Sequence, residues 1–159
     1  MYMKRIFSLT ILIAGILFAA AAQEPEKPVS WRVTAKMTSP TEGVVTLRPV
    51  CGEGWHIYGT EEVKNGPIPT SFSFEGSQGV EYLGGVRPSV APVRKYQEMF
   101  GTELTYWEGA VSFTRKFKVT DAAKAKIAGT VRYMGCDDTR CMPPQTHSFS
   151  VAPKPFKKK

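Results

Sequence analysis

A chain of 159 residues is long enough to bury one hydrophobic core and too short to call for several domains. Three cysteines exclude a disulfide-rich miniprotein, so any bridge is an addition to a core. The formal charge of +7 owes much to Lys154, Lys157, Lys158 and Lys159; without a basic stripe interleaved with aromatic residues, this reads as a solvated tail and argues against nucleic-acid binding.

The first stretch has the anatomy of a secretory signal peptide. Lys4 and Arg5 precede an apolar run, Ile6 to Phe18, and Ala20-Ala21-Ala22 offers a small-residue cleavage site before Gln23. Residues 1–22 are therefore expected to be removed, leaving a periplasmic or otherwise exported domain of residues 23–159 without stable membrane insertion. The run is short for a spanning helix, and no later segment could span a membrane. An exported protein can form and keep disulfides.

Strand periodicity dominates the rest of the chain. In Ser30–Ser39, Trp31, Val33, Ala35 and Met37 alternate with Arg32, Thr34, Lys36 and Thr38, one face dry and one wet. Gly43–Val50 is the hairpin partner, with Val45 and Leu47 inward. Trp55–Tyr58, Ser71–Phe74 and Val80–Leu83 read as short strands. Gly84–Gly101 lacks a period, carries Pro88 and Pro92, and reads as a long loop of the kind that covers sites. Ala110–Val119 alternates again, with Arg115 out of place among Val111, Phe113, Phe117 and Val119. Asp121–Lys126 gives the one helical hint. Ile127–Met134 and Gln145–Val151 are the last strands. Many short strands with regular turns point to an all-β fold, an immunoglobulin-like antiparallel β-sandwich.

Cys136 and Cys141 sit in the turn between those last two strands. Four intervening residues let the sulfurs meet only if the chain doubles back, which the flanking strands provide. A structural bridge is one reading. Closing so small a loop removes little chain entropy, about 2 kcal/mol. The turn Asp137-Asp138-Thr139-Arg140 is polar, and exposed bridges tend to be labile. Arg140 would favour a thiolate, whereas Asp137 and Asp138 would oppose one.

Gly135-Cys136-Asp137-Asp138-Thr139-Arg140-Cys141-Met142-Pro143-Pro144 closely resembles the active-site hairpin of the N-terminal periplasmic domain of DsbD-type thiol:disulfide interchange proteins. Gly54-Trp55-His56-Ile57-Tyr58 is similar to that family's aromatic segment, and Glu98-Met99-Phe100-Gly101 to the tip of its cap loop. The resemblance spans most of residues 23–159. It implies an immunoglobulin-like fold and a Cys136/Cys141 pair that cycles between dithiol and disulfide, with Cys141 engaging the partner. It implies Met99 and Phe100 over the sulfurs, and His56, Tyr58, Gly135, Asp138, Arg140 and Pro143 around them. Partners would be thioredoxin-like redox proteins and exported disulfide-containing proteins, a traffic that includes cytochrome c biogenesis. No cofactor is implied. The spacing is one residue shorter than in the best-known members, and Met99 stands where an aromatic residue is usual. Full-length members continue into membrane-embedded and thioredoxin-like domains, so the electron donor here is expected on a separate protein.

The residues leave other readings open. The sandwich could be a binding or adhesion module stapled by its disulfide. Met134, Cys136, Cys141, Met142 and His147 are soft donors close in sequence, which would suit a copper(I) carrier. Cys51 shares the parity of Val45 and Leu47 and reads as a buried free thiol, and His147 as a packed histidine.

Overall fold

The computed structural model describes residues 27–157, so the signal-peptide reading lies outside the described residues. Eleven strands are described, and no helix forms among these residues: β1 (Val29–Met37), β2 (Glu42–Cys51), β3 (His56–Tyr58), β4 (Ser71–Ser73), β5 (Val80–Pro88), β6 (Val93–Gln97), β7 (Thr102–Trp107), β8 (Phe113–Val119), β9 (Ile127–Tyr133), β10 (Gly135–Cys136) and β11 (Gln145–Val151). They form three antiparallel sheets, ordered β1-β2-β8-β5, β11-β9-β4 and β10-β3-β7-β6. The fold is the all-β, immunoglobulin-like sandwich expected from the strand pattern.

The alternation read from sequence is the alternation that packs. Trp31 and Ala35 of β1 and Val45 and Leu47 of β2 are buried, and the residues between Trp31 and Ala35 on the other parity stay exposed. Phe113 and Phe117 of β8 complete that face. Val131 and Phe149 close the core from the second sheet, with Phe72 of β4 packed against them. Trp31 lies 6.1 Å from Phe72, 6.0 Å from Phe113 and 5.6 Å from Tyr133, ring centre to ring centre, so one indole joins the two sheets. Arg115, out of place in the pattern, lies over Tyr82 at 4.5 Å and Phe74 at 4.9 Å, and its Nε donates to the Gly84 carbonyl at 2.8 Å. It closes the edge of the core by cation–π contact.

Two expectations are corrected. Asp121–Lys126 is a turn: Thr120 and Asp121 donate to the Gly79 carbonyl, and Lys126 exchanges backbone hydrogen bonds with Gln78, which holds the segment to the sheet edge. Gly84–Gly101 is not one long loop. β5 continues through it to Pro88 with a register shift between Leu83 and Arg87, and β6 follows, pairing with β7. What stays free of strand is short, and Trp107 Nε1 ties it down by donating to the Val90 carbonyl at 3.1 Å.

Candidate functional site

The third sheet carries the cysteines. In β3 all three side chains are buried, but to two different places. Ile57 joins the main core, while Tyr58 joins a second apolar cluster with Leu104, Tyr106 and Cys136. β7 divides in the same way, with Trp107 in the main core and Leu104 and Tyr106 in the second cluster. Cys136 enters that cluster because β10 pairs with β3, setting Cys136 opposite His56 and Gly135 opposite Ile57. Gly135 is required by close approach: a Cβ there would lie 2.9 Å from Val29 Cγ2 at the buried start of β1.

Cys136 and Cys141 are joined in a disulfide, their Cα atoms 4.1 Å apart. The two sulfurs differ in access: Cys136 is fully buried, Cys141 only partly so. A tight turn closes the hairpin, with Asp137 N–H donating to the Arg140 carbonyl and Met142 N–H to that of Gly135, each at 2.9 Å. Asp137 Oδ1 accepts from the backbone N–H of Thr139 and of Arg140, both at 2.8 Å, and from Thr139 Oγ1 at 2.9 Å. The Thr139 amide leads these donors in pushing the Asp137 carboxyl down to about 2.

Arg140 does not serve the sulfurs in the way its charge suggested. Its Nε pairs with Asp137 Oδ2 at 3.3 Å and its guanidinium lies 5.4 Å from the centre of the Trp55 ring, so the cation is spent on holding the turn. Asp138 is exposed and lines a polar cleft of about 470 Å³ together with His56, Tyr106, Glu108 and Lys95. Pro143 is exposed and its carbonyl accepts from Gln145 Nε2 at 3.0 Å; it stands beside the pair in sequence, and no contact places it against the sulfurs.

The β6–β7 hairpin supplies the cover. Its tip, Glu98 to Gly101, turns with Phe100 and Gly101 N–H groups donating to the Gln97 carbonyl, and Gly101 takes a φ of +64° that suits glycine. Met99 Sδ reaches 3.9 Å from Cys141 Sγ, a sulfur–sulfur contact over the bond. Phe100 packs edge-on against Tyr58 at 5.7 Å. Met99 is nevertheless 54% exposed, so the shield is thin. Glu98 is exposed and points to no partner in the site.

His56 is the one buried histidine of the described residues. Its ring lies 4.8 Å from Tyr106 and 5.2 Å from Tyr58, and its Nε2 is buried with no hydrogen-bond partner among them. Burial lowers its pKa against the opposing pull of Asp138, Glu108 and Asp137. Burial likewise pushes the Tyr58 hydroxyl up to about 12. Cys51 is a free, half-buried thiol that burial pushes up to about 11.

Sequence reading missed Leu104 and Tyr106. Four consecutive buried residues, Leu104 to Trp107, hide the period-two signal because both faces of β7 are covered. The enrichment of β-branched and aromatic residues over 102–107, Thr102, Thr105, Tyr106 and Trp107, was the clue. The copper(I) donors part company here: Met134 packs on the disulfide cluster, Met142 faces a separate cleft with Cys51 and Trp55, and His147 pairs with Val131 in the second sheet.

A partly covered disulfide at the edge of such a sandwich is a thiol–disulfide exchange geometry, and comparison agrees. The profile of the family described as Thiol:disulfide interchange protein DsbD, N-terminal, matches residues 22–153. The chain belongs to this family. It is thereby a thiol–disulfide exchange domain, and its Cys136–Cys141 disulfide is the feature that fits. No curated protein matches the chain. Among solved structures, the N-terminal periplasmic domain of ScsB from Proteus mirabilis aligns over 80% of this chain and 48% of its own, at 15% identity and a TM-score of 0.57. This chain therefore spans about half the length of that one, and the likeness concerns the fold. The reduced DsbD N-terminal domain of Neisseria meningitidis aligns over 82% of this chain and 90% of its own, at 18% identity and a TM-score of 0.48. The yeast GGA1 GAE domain aligns over 81% and 96%, at 8% identity and a TM-score of 0.44.

Proposed function

We propose that this chain is an exported redox relay, passing reducing equivalents from a thioredoxin-like donor to disulfide-containing proteins of the same compartment through Cys136 and Cys141. The observation that carries the reading is the asymmetry of the pair: Cys136 is fully buried, while Cys141 lies partly open under the tip of a hairpin. A nucleophile can reach only the sulfur that is not enclosed, so Cys141 is the point of attack.

In this reading the partner displaces Met99 and Phe100. Its thiolate forms a bond to Cys141 Sγ, the Cys136–Cys141 bond breaks, and the electron pair stays on Cys136. A second donor thiolate then attacks the donor sulfur of the mixed disulfide and frees Cys141. The reduced pair repeats the sequence in reverse on a substrate disulfide, so two electrons pass and no cofactor takes part. Tyr58 and Phe100 hold the cover closed between encounters, Glu98 and Gly101 shape its tip, Gly135 lets the hairpin seat against β1, and Asp138 borders the cleft beside the pair. Among the described residues no helix is long and apolar enough to cross a membrane.

The test is the reduction potential of the Cys136–Cys141 pair, read by equilibration with a thiol redox buffer and trapping of free thiols. A carrier is expected between roughly −120 and −270 mV. A value below about −300 mV would mark a structural staple and replace this reading by a binding module.

A further inference from the structure

Relay chemistry at this pair leaves a proton to be placed. Cys136 must be a thiol when the pair is reduced and must attack as a thiolate, yet it has no exposure to water. A buried thiolate without a partner is strongly disfavoured. One ionisable side chain stands opposite it. Residues directly paired across antiparallel strands carry their Cβ atoms on the same face about 4.5–5.5 Å apart, and Cys136 is paired with His56. That ring holds a buried Nε2 which, in the disulfide state, has no hydrogen-bond partner among the described residues. An orphaned buried polar atom is costly and calls for an explanation. The bonded sulfur does not serve it; a thiol or thiolate released from the disulfide is free to turn toward it across the strand pair. The same ring also forms part of the wall of the polar cleft lined by Asp138 and Glu108.

We infer that His56 is the proton acceptor and donor for Cys136, an assignment that rests on the relay reading above. With Cys141 held in a mixed disulfide to a substrate, Cys136 Sγ bonds to Cys141 Sγ and the bond from Cys141 to the substrate sulfur breaks. The substrate leaves as a thiolate with the electron pair, so the cysteines are oxidised and the substrate is reduced. The Cys136 proton passes to His56 Nε2. His56 then gives that proton up to the polar cleft it lines, and when the disulfide is reduced again it relays a proton from the cleft to Cys136 as that sulfur leaves.

The surroundings suit both halves of this exchange. Burial keeps the free imidazole neutral near pH 7, the form that can accept a proton. Asp138, Glu108 and Asp137 act in the opposite direction and stabilise the imidazolium once it forms. The other ionisable neighbours on the packed elements are Tyr58 on β3, whose proton burial retains, Tyr106 on β7, and Lys95 on β6 across the cleft. The loop before β3 adds Glu53 and Cys51, the latter held as a thiol by burial.

The experiment mixes the reduced protein, in a Cys51→Ser background, with one equivalent of the aromatic disulfide dithiobis(nitrobenzoate). The first thionitrobenzoate released reports attack by Cys141, and the second reports resolution by Cys136. In the protein with His56 the second phase should be level near pH 7 to 8 and fall on the acid side as the imidazole is protonated. His56→Phe keeps a ring in the space and His56→Gln keeps a polar atom. Each is expected to slow the second phase by about 100-fold or more near pH 7. Each should also make that phase rise steadily with pH, with the first phase unchanged. Either variant resolving at the unmutated rate with the unmutated pH profile overturns the assignment. Failure of the relay itself looks different: both equivalents are still released, but the reduction potential of the pair lies in the range of structural staples, and the assignment falls with the relay.

Discussion

Two buried nitrogens in this molecule lack hydrogen-bond partners among the described residues, and the contrast between them separates its two cores. Trp31 Nε1 lies in the main core among Phe72, Phe113 and Tyr133. An indole N–H only donates and does not titrate, so its cost is a constant outweighed by the large apolar surface around it. His56 Nε2 lies in the small cluster that contains the disulfide. An imidazole changes its hydrogen-bonding character with pH and with what stands opposite it. The main core is mostly hydrocarbon and aromatic; the small cluster sets the disulfide among two tyrosines and a histidine under a thin cover. One region supplies stability and the other chemistry, and β3 and β7 belong to both.

Substitutions should therefore separate by region. The largest effect is expected at the pair. Cys141→Ser should abolish exchange with a thioredoxin-like donor while lowering stability by only about 2 kcal/mol, the loop-closure contribution, seen in denaturant unfolding. Cys136→Ser should instead accumulate a covalent partner complex through Cys141, visible on a non-reducing gel. The reverse separation comes from the main core: Phe113→Ala should cost about 3–5 kcal/mol in the same unfolding experiment. The reduction potential of the molecules that remain folded should stay where it was. A potential that moved with Phe113 would show that the two regions are coupled more tightly than their packing indicates.

A smaller effect is expected at the cover. Met99→Ala removes the side chain that touches Cys141, and the reaction of the disulfide with a small thiol reductant should quicken several-fold while the unfolding midpoint hardly moves. The smallest effect concerns acid. Stability rises with pH wherever the unfolded chain binds more protons. His56 and His147 have pKa values lowered by burial, so the unfolded chain takes their protons first as pH falls through about 6.5, and stability declines there. Asp137 is lowered from 3.8 to about 2, so its contribution is present above about pH 4 and lost between there and about pH 2. Urea midpoints measured against pH should show both declines. His56→Phe should remove part of the upper one, and Asp137→Asn should shrink the lower.

Much of this could be seen in the residues before any coordinates. Alternation in β1, β2, β8 and β11 marked the inward side chains, because one face of each strand meets the core and the other meets water. The cysteine hairpin was legible from its spacing and its flanking strands, and the aromatic segment and the cap tip from their likeness to a family. β6 and β7 were not. Val93–Gln97 is almost wholly exposed and Leu104–Trp107 wholly buried, so neither carries a period that sequence alone could detect.

The amino-acid sequence by itself determined the fold class and the hairpin that lets Cys136 and Cys141 meet, since these follow from periodicity, spacing and local turn chemistry; the residues expected to cover the pair came from likeness to a family. Tertiary structure alone decided which sulfur is enclosed, that Arg140 is committed to Asp137 and Trp55, and that His56 stands across from Cys136 with its Nε2 unpaired. Burial, charge pairing and cross-strand opposition are properties of residues distant in the chain, and they exist only once the sheets have closed.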